Sequence, residues 1–170
     1  MLSNSDLVEL IGFRHLLHRH PELSGEEKET ARRVEGFIAP TGPDRIITEL
    51  GGHGVAAIYE SGVAGPTLMF RSELDALPIH KTGDVPYKSQ TPGKAHLCGH
   101  DGHSTILLGL ARLIARRRPA RGRVVLLFQP AEETGAGAAA VIADSRFAEI
   151  RPDWSFALHN MPGIAFGHVS

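Results

Sequence analysis

The first part of the chain shows the hydrophobic spacing of two amphipathic helices. Apolar residues recur every three or four positions between residues 5 and 19, and Pro21 stops this pattern. Ser24 and Glu27 have the spacing of a capping box, which predicts the start of a second helix that lasts to about Ala39. A cluster of proline and glycine residues then interrupts the chain.

The middle of the chain has the pattern of short strands followed by a long loop. Strands are predicted at Arg45 to Leu50, Gly54 to Tyr59 and Thr67 to Phe70. Residues 75 to 99 are rich in proline, glycine and polar residues and are predicted as a loop. Loops of this length inside a compact domain are usually functional or disordered.

The last third of the chain alternates helical and strand-like patterns. Helices are predicted from Asp101 to about Arg117 and from Gly135 to Ala143, and buried strands at Arg123 to Phe128 and Trp154 to Leu158. Strands that alternate with helices predict an α/β fold: a three-layer domain in which a mixed, mostly parallel sheet is flanked by helices. The residues with chemical potential follow strands, where open α/β sheets tend to place their sites.

Composition and charge describe an ordinary globular chain. The 170 residues are enough for one domain with a buried core, and 42% of them are hydrophobic. A formal net charge of −1 gives no electrostatic indication of a nucleic-acid or membrane partner. The N-terminus is acidic where a signal peptide would be basic, no apolar run reaches transmembrane length, and the single cysteine suits a reducing compartment. We therefore expect a cytoplasmic protein.

The segment AHLCGHDGH, residues 95 to 103, carries the strongest chemical signal. Cys98 and His100 lie two positions apart in a turn that contains glycine, so both side chains can converge on one point. A thiolate and an imidazole favour zinc, cobalt or nickel over magnesium or calcium. The positive end of the helix dipole that begins near Asp101 points at this spot, which predicts a thiolate at Cys98.

Glu132 and Glu133 form a second cluster, directly after a predicted strand. Adjacent residues in an extended or irregular segment point in different directions, so one carboxylate can bind a metal while the other reaches a bound water. That division suits metal-assisted hydrolysis, in which the metal acidifies water and a carboxylate moves the proton. Taken alone, such a pair is more often surface charge.

Several further residues are candidates for the same site. His159 ends a strand-like run and is well placed as a ligand, with a core histidine as the alternative. Asp75 lies where a strand gives way to a loop and can orient a ligating imidazole, and Glu73 is a weaker candidate nearby. His103 is suited either to substrate contact or to capping and packing. Spacing assigns no partner to the remaining histidines, among which His18 and His20 stand out.

These segments together resemble a known family, the metal-dependent amidohydrolases related to hippurate hydrolase, N-acyl-amino-acid deacylases and indole-acetyl-amino-acid hydrolases, within the carboxypeptidase-type metallopeptidases. The matching stretches occur in family order along almost the whole chain: RHLLHRHPELSGEE, FRSELDALPI, GKAHLCGHDGHS, VVLLFQPAEETGAGA and ALHNMPG. Ser72-Glu73 departs mildly from the family, which more often has Ala-Asp there.

The resemblance implies a set of roles for residues of this chain. The implied metal ligands are Cys98, His100, Glu133 and His159. Two divalent ions (zinc, manganese, cobalt or nickel) would share the Cys98 thiolate in full-length members. Glu132 would be the general base that activates water and later protonates the leaving amine, and Asp75 would hold a ligand histidine. The implied reaction is hydrolysis of the amide bond of an N-acyl amino acid or short peptide.

The resemblance also implies that family members are longer than this chain. They insert a lid and dimerisation domain after this region and then return to complete the catalytic domain with another ligating histidine. Residues 1–170 would be the N-terminal portion of that domain, with the other parts absent. We expect an open sheet edge that a homodimer or a complementing C-terminal fragment would cover.

Two alternatives remain beside the amidohydrolase. The chain could be a truncated, non-catalytic remnant that binds a metal or a partner without turnover. It could instead be a thiol hydrolase with Cys98 as nucleophile and a histidine as base. The second alternative leaves Glu132, Glu133 and His159 without a role.

Overall fold

The computed structural model describes residues 1–161, 163–165 and 167–168, and in this part of the chain five strands form one sheet. The strands are β1 Arg45–Leu50, β2 Gly54–Glu60, β3 Thr67–Glu73, β4 Arg123–Gln129 and β5 Trp154–Ala157. The helices are α1 Asn4–Arg19, α2 Lys28–Ile38, α3 His100–Arg116 and α4 Gly137–Ala143, and short 3₁₀ turns cover Ala39–Thr41 and Ser145–Glu149. None of the described helices combines the length and apolarity that crossing a bilayer requires.

The sheet is mixed, and one strand runs against the rest. Its order is β1-β2-β4-β3-β5; β2 pairs antiparallel with both β1 and β4, whereas β3 pairs parallel with β4 and with β5. It follows that β1, β3, β4 and β5 share one direction and β2 alone is reversed. The predicted α/β fold with a mixed, mostly parallel sheet is confirmed, and the carboxyl ends of β3, β4 and β5 lie at one edge.

Helices cover both faces of the sheet and give the domain three layers. Strand β4 shows this division, because Leu126 and Phe128 face a core shared with α1, α2 and α3, whereas Val125 and Leu127 face a second core. That second core includes Val141 of α4. A strand that is buried on both sides has no polar face, which explains the unbroken apolar run in its sequence.

Strand β5 differs from its prediction as a buried strand. All four of its residues are exposed, Trp154 with 65% of its surface accessible, and Leu158 lies outside the strand and is exposed too. The strand pairs only with β3 at the sheet edge, where Phe156 stacks on Phe70 with ring centroids 5.3 Å apart. Apolar composition therefore identified the strand, but its position at the edge leaves it uncovered among the described residues.

The capping box predicted at Ser24 and Glu27 is wrong. Helix α2 begins at Lys28 with Glu27 as its N-cap, and neither Ser24 nor Glu27 caps it; Glu22 accepts the Glu29 and Thr30 N–H groups of its first turn. The Ser24 hydroxyl instead donates a hydrogen bond to Asp75 Oδ2 at 2.7 Å. A buried carboxylate in the next layer competes successfully for this hydroxyl, and the consequence is a connection between the segment before α2 and the end of β3.

The loop predicted for residues 75–99 contains only isolated bridges. Leu23 pairs with Ala76, and Leu77 pairs with Ala95. These bridges hold both ends of the loop against the body of the domain. As a result, the start of α3 and the end of β3 are brought close together.

Gly51 gives a test of how tightly α4 packs on the sheet. Its φ is +61°, and a Cβ there would lie 2.4 Å from the Val141 backbone nitrogen. Gly62 has a φ of +75° but no described atom within 4 Å of such a Cβ. Gly62→Ala should lower the free energy of unfolding by about 1 kcal/mol, the cost of the left-handed conformation.

Gly51→Ala should lower that free energy by about 3 kcal/mol or more, because α4 must also move away. Urea unfolding of both variants checks this expectation. Equal losses of unfolding free energy in the two variants would show that α4 moves away from residue 51 at little cost.

Candidate metal centre

Three segments distant in sequence bring their functional side chains together at one edge of the sheet. Cys98 and His100 lie at the start of α3, Glu132 and Glu133 follow β4, and His159 follows β5. Because β4 and β5 run in the same direction, the residues after them meet at the same edge. The structure thus gathers all five residues for which the sequence predicts direct metal or proton chemistry.

His100 stands at the centre of the group. Its Nε2 lies 3.6 Å from Glu132 Oε2 and 3.7 Å from Glu133 Oε1. On the other side of the site, Cys98 Sγ and His159 Nε2 are 3.4 Å apart. Three sets of donor atoms, each within 4.8 Å of one another, share His100: one adds Cys98 and His159, another adds Glu132 and Glu133, and the third adds Glu73 and His103.

Three buried atoms of the site have no hydrogen-bond partner among the described residues. These are His100 Nε2, Glu133 Oε1 and Asp75 Oδ1, and the first two face the space between the donor side chains. Leaving buried polar atoms unsatisfied is costly, and native proteins avoid it unless a water, ion or ligand supplies the partner. A nitrogen lone pair, a carboxylate oxygen and a sulfur that converge on one space fit a transition-metal cation. The donor set of this structure is therefore compatible with a metal site.

Asp75 orients His100 and connects it to the glutamate pair. His100 Nδ1 donates to the Asp75 backbone carbonyl at 2.8 Å, and Asp75 Oδ1 lies 3.4 Å away, so Nε2 faces Glu132 and Glu133. The Asp75 Oδ2 atom accepts the Glu133 N–H at 2.9 Å. Burial raises the Asp75 pKa, but hydrogen bonds from His100, the Glu133 amide and Ser24 outweigh burial and lower it to about 2.

The carboxylates around Cys98 oppose the thiolate that the helix dipole favours. Burial raises the pKa of the Cys98 thiol, and the nearby carboxylates of Glu133, Glu132 and Glu73 raise it further, to about 12. Three carboxylates thus outweigh one helix terminus. A thiol held in its protonated form is a poor nucleophile, which argues against the thiol-hydrolase alternative. A metal ion that replaces the proton removes this penalty.

Glu73 and His103 form a buried pair beside the site. His103 Nδ1 donates to Glu73 Oε2 at 3.0 Å, and His103 Nε2 lies 2.6 Å from Asn160 Oδ1. Burial raises the Glu73 pKa, but the bond from His103 and the charge of Arg71 outweigh it, and the pKa is lowered. Of the two roles proposed for His103, packing describes its contacts: it links α3 to the segment that carries His159.

Sequence reasoning missed the partner of His18. The His18 Nδ1 atom lies 2.8 Å from Asp101 Oδ2, and both side chains are buried. Arg14 also contacts Asp101, at 3.2 Å. Arg14 and His18 are four residues apart and share one face of α1, a spacing that marks a polar stripe but does not name its partner. The contact fixes the start of α3 against α1, next to His100.

The sequence of this chain is similar to those of known proteins. A family model described as "Peptidase family M20/M25/M40" matches residues 69–170. The N-acetyl-L-cysteine deacetylase of Bacillus subtilis is 43% identical over 162 residues, which are 95% of this chain and 38% of that protein. The hippurate hydrolase of Campylobacter jejuni is 38% identical over 149 residues, which are 88% of this chain and 38% of that protein.

A solved structure shows the same fold. The Bacillus subtilis YXEP protein, described as a dinuclear metal binding peptidase from the M20 family, matches with a TM-score of 0.87 and 34% identity. The match covers 95% of this chain and 45% of that one. This chain therefore spans about two fifths of the length of the curated relatives that it matches.

Asp75→Asn tests the orienting role of this carboxylate. An amide has one oxygen, so an asparagine that keeps this oxygen on the Glu133 N–H turns its NH₂ group toward His100 Nδ1–H, where the Asp75 carboxylate oxygen lies 3.4 Å away, and two donors then face each other. We expect Zn²⁺ affinity to fall by about 10- to 100-fold, as measured by isothermal titration calorimetry. Asp44→Asn is the matched control, because Asp44 also accepts a backbone N–H, that of Glu60 at 2.8 Å, but far from the site.

The control should bind Zn²⁺ like the unmodified chain. Equal affinity for both variants, with circular dichroism confirming that Asp75→Asn is folded, would show that Asp75 does not set the geometry of the site.

Proposed function

The chain belongs to peptidase family M20/M25/M40, and on that basis we propose that it is the metal-binding part of an amidohydrolase that cleaves the amide bond of N-acyl amino acids. The observation that carries this proposal is the pair of buried, unpartnered atoms, His100 Nε2 and Glu133 Oε1, in a cluster of transition-metal donors. Residues 1–170 would form the N-terminal portion of the catalytic domain.

We assign metal binding to Cys98, His100, Glu133 and His159. Transition-metal donors with this mixture of sulfur, nitrogen and oxygen suit zinc or manganese, cobalt or nickel, and the longer relatives would hold two ions. A bound cation would polarise the substrate carbonyl and lower the pKa of a water molecule. Glu132 is not among these proposed ligands, so its carboxylate is free for proton transfer.

Glu132 is proposed as the general base. Its side chain is 35% exposed, against 20% for Glu133, so it is the more open member of the pair toward incoming water. Its Oε2 atom can accept a proton from water and later give it to the leaving amine, since one carboxylate can perform both transfers in turn. Asp75 supports these steps by holding His100 and the Glu133 amide in place.

The relatives indicate the class of substrate. Their names, N-acetyl-L-cysteine deacetylase, hippurate hydrolase and N-acetyldiaminopimelate deacetylase, refer to acylated amino acids. We propose an N-acyl amino acid or a short peptide as substrate, with no nucleic-acid or membrane partner, and a cytoplasmic location that suits the single unpaired cysteine. A second copy or a C-terminal fragment would pair with the exposed strand β5.

A second candidate function is binding of a metal or a partner without turnover. The donor atoms around His100 support it, because such a set can hold a cation whether or not a substrate is hydrolysed. Metal binding without hydrolysis would support this candidate over the first.

Metal content is the first test. After reconstitution with Zn²⁺ or Mn²⁺, the 170-residue protein should hold about one or two equivalents by elemental analysis, and Cys98→Ala should sharply reduce this amount because a ligand is lost. His80→Ala, at an exposed loop histidine, is the control and should leave it unchanged. Absence of bound metal in the unmodified protein would contradict the proposed site.

Glu132→Gln separates metal binding from proton transfer. Metal content should stay near that of the unmodified protein, whereas hydrolysis of N-acetyl amino acids and hippurate should fall by about 10²- to 10⁴-fold. Product amine is measured by a colorimetric assay. Glu149→Gln, at a surface ion pair with Arg45, should keep the original rate. An undiminished rate in Glu132→Gln would remove Glu132 from the mechanism.

A further inference from the structure

The turn that carries the two site glutamates has an unfavourable backbone conformation. Ala131, immediately before Glu132, has a φ of +48°, and Glu49 is the other described non-glycine residue with a positive φ. The left-handed region brings Cβ too close to the carbonyl oxygen that follows it. Such a conformation persists only where surrounding contacts hold it, and it is concentrated at functional sites.

Glu27 makes one of those contacts from a distant part of the sequence. Its side chain is fully buried, and its Oε1 accepts a hydrogen bond from the Ala131 N–H at 2.7 Å. Glu27 is the N-cap residue of α2 but makes no side-chain cap bond, so its carboxyl group faces Ala131 rather than its own helix. The Ala131 carbonyl accepts the Gly137 N–H at 3.0 Å. Both backbone polar groups of Ala131, its N–H and its carbonyl, are therefore hydrogen-bonded.

The residue on the other side of Glu132 is held in the same way. The Glu133 N–H donates to Asp75 Oδ2 at 2.9 Å, as the Ala131 N–H donates to Glu27. Two buried carboxyl groups thus accept hydrogen bonds from the backbone N–H groups of the residues before and after Glu132. The Glu132 side chain itself stays partly open to solvent. The direction of both glutamate side chains follows from the backbone that these carboxyl groups fix.

We propose that Glu27 is a positioning residue, which holds Ala131 in its left-handed conformation and thereby aims Glu132 and Glu133 at His100. The inference rests on the proposed function for the roles given to Glu132 and Glu133. The contact with Ala131 does not depend on those roles and can be tested in metal-free protein. A role in packing alone would require only the volume of the Glu27 side chain, not its oxygen acceptor.

Two substitutions separate the acceptor from the volume. Glu27→Met keeps a chain of similar length but has no oxygen, whereas Glu27→Gln keeps an amide oxygen that can accept the Ala131 N–H. Glu26→Gln is the matched control, since Glu26 is exposed and pairs with Lys94 at the surface. All three variants are made in the 170-residue chain.

Amide hydrogen exchange of metal-free protein is the first measurement. In Glu27→Met we expect the Ala131 and Gly137 amides to exchange about tenfold faster or more, because one hydrogen bond that holds the turn is lost. Zn²⁺ affinity is the second measurement, and in the same variant it should fall by about 10- to 100-fold. Glu27→Gln should recover most of both losses, and Glu26→Gln should show neither.

Unchanged exchange and Zn²⁺ affinity in a folded Glu27→Met variant would overturn the proposal, and so would equal losses in Met and Gln. If Glu27→Met does not fold, Glu27→Asp replaces it, because a side chain one methylene shorter keeps the charge but cannot reach the Ala131 amide. Glu27→Asp should then show the faster amide exchange and the weaker Zn²⁺ binding expected of Glu27→Met. Failure of the unmodified chain to bind Zn²⁺ would count against the proposed function, and the exchange comparison would still decide the role of Glu27.

Discussion

The hydrogen bond between Asp75 and His100 holds the candidate site together. Asp75 follows β3, and His100 begins α3, so the long loop between them is closed by this contact. The Asp75 carboxylate also receives the Ser24 hydroxyl and the Glu133 amide, from the segment before α2 and the turn after β4. A fully buried carboxylate is costly unless it is hydrogen-bonded. The contacts that offset this cost are the ones that fix four separate segments around one point.

The charge of the site makes binding of a cation and stability of the fold depend on each other. Glu73, Asp75 and Asp101 are buried, and Glu132 and Glu133 lie within reach of the same histidine. Glu133, Glu132 and Glu73 raise the pKa of the Cys98 thiol, and buried atoms of His100 and Glu133 have no hydrogen-bond partner among the described residues. A cation that binds the folded chain and not the unfolded one stabilises the fold by mass action. The fold therefore keeps a site that is fully satisfied only with a positive charge in it.

Sequence patterns predicted those parts of the structure that local spacing determines. The unbroken apolar run of β4 indicated a strand covered on both faces, and the spacing of Cys98 and His100 in a turn predicted that these two side chains converge. Coverage of β5 could not be predicted, because apolar residues in a strand look the same whether or not another layer packs on them. The contacts of Ser24 with Asp75 and of Glu27 with Ala131 join segments far apart in the chain. Short-range sequence patterns do not reveal such pairs, so only the folded structure identifies them.

The position of β5 at the sheet edge has a consequence for how the site gains and releases its ligand. His100 and Glu133 are held by buried contacts, whereas His159 follows a strand that, in the described part of the chain, pairs on one side only, and both the strand and His159 are exposed. Segments with few buried contacts open at the lowest free-energy cost. Of the three segments that meet at the site, the one that carries His159 is accordingly expected to open most readily, because its side chain is exposed whereas His100 is buried.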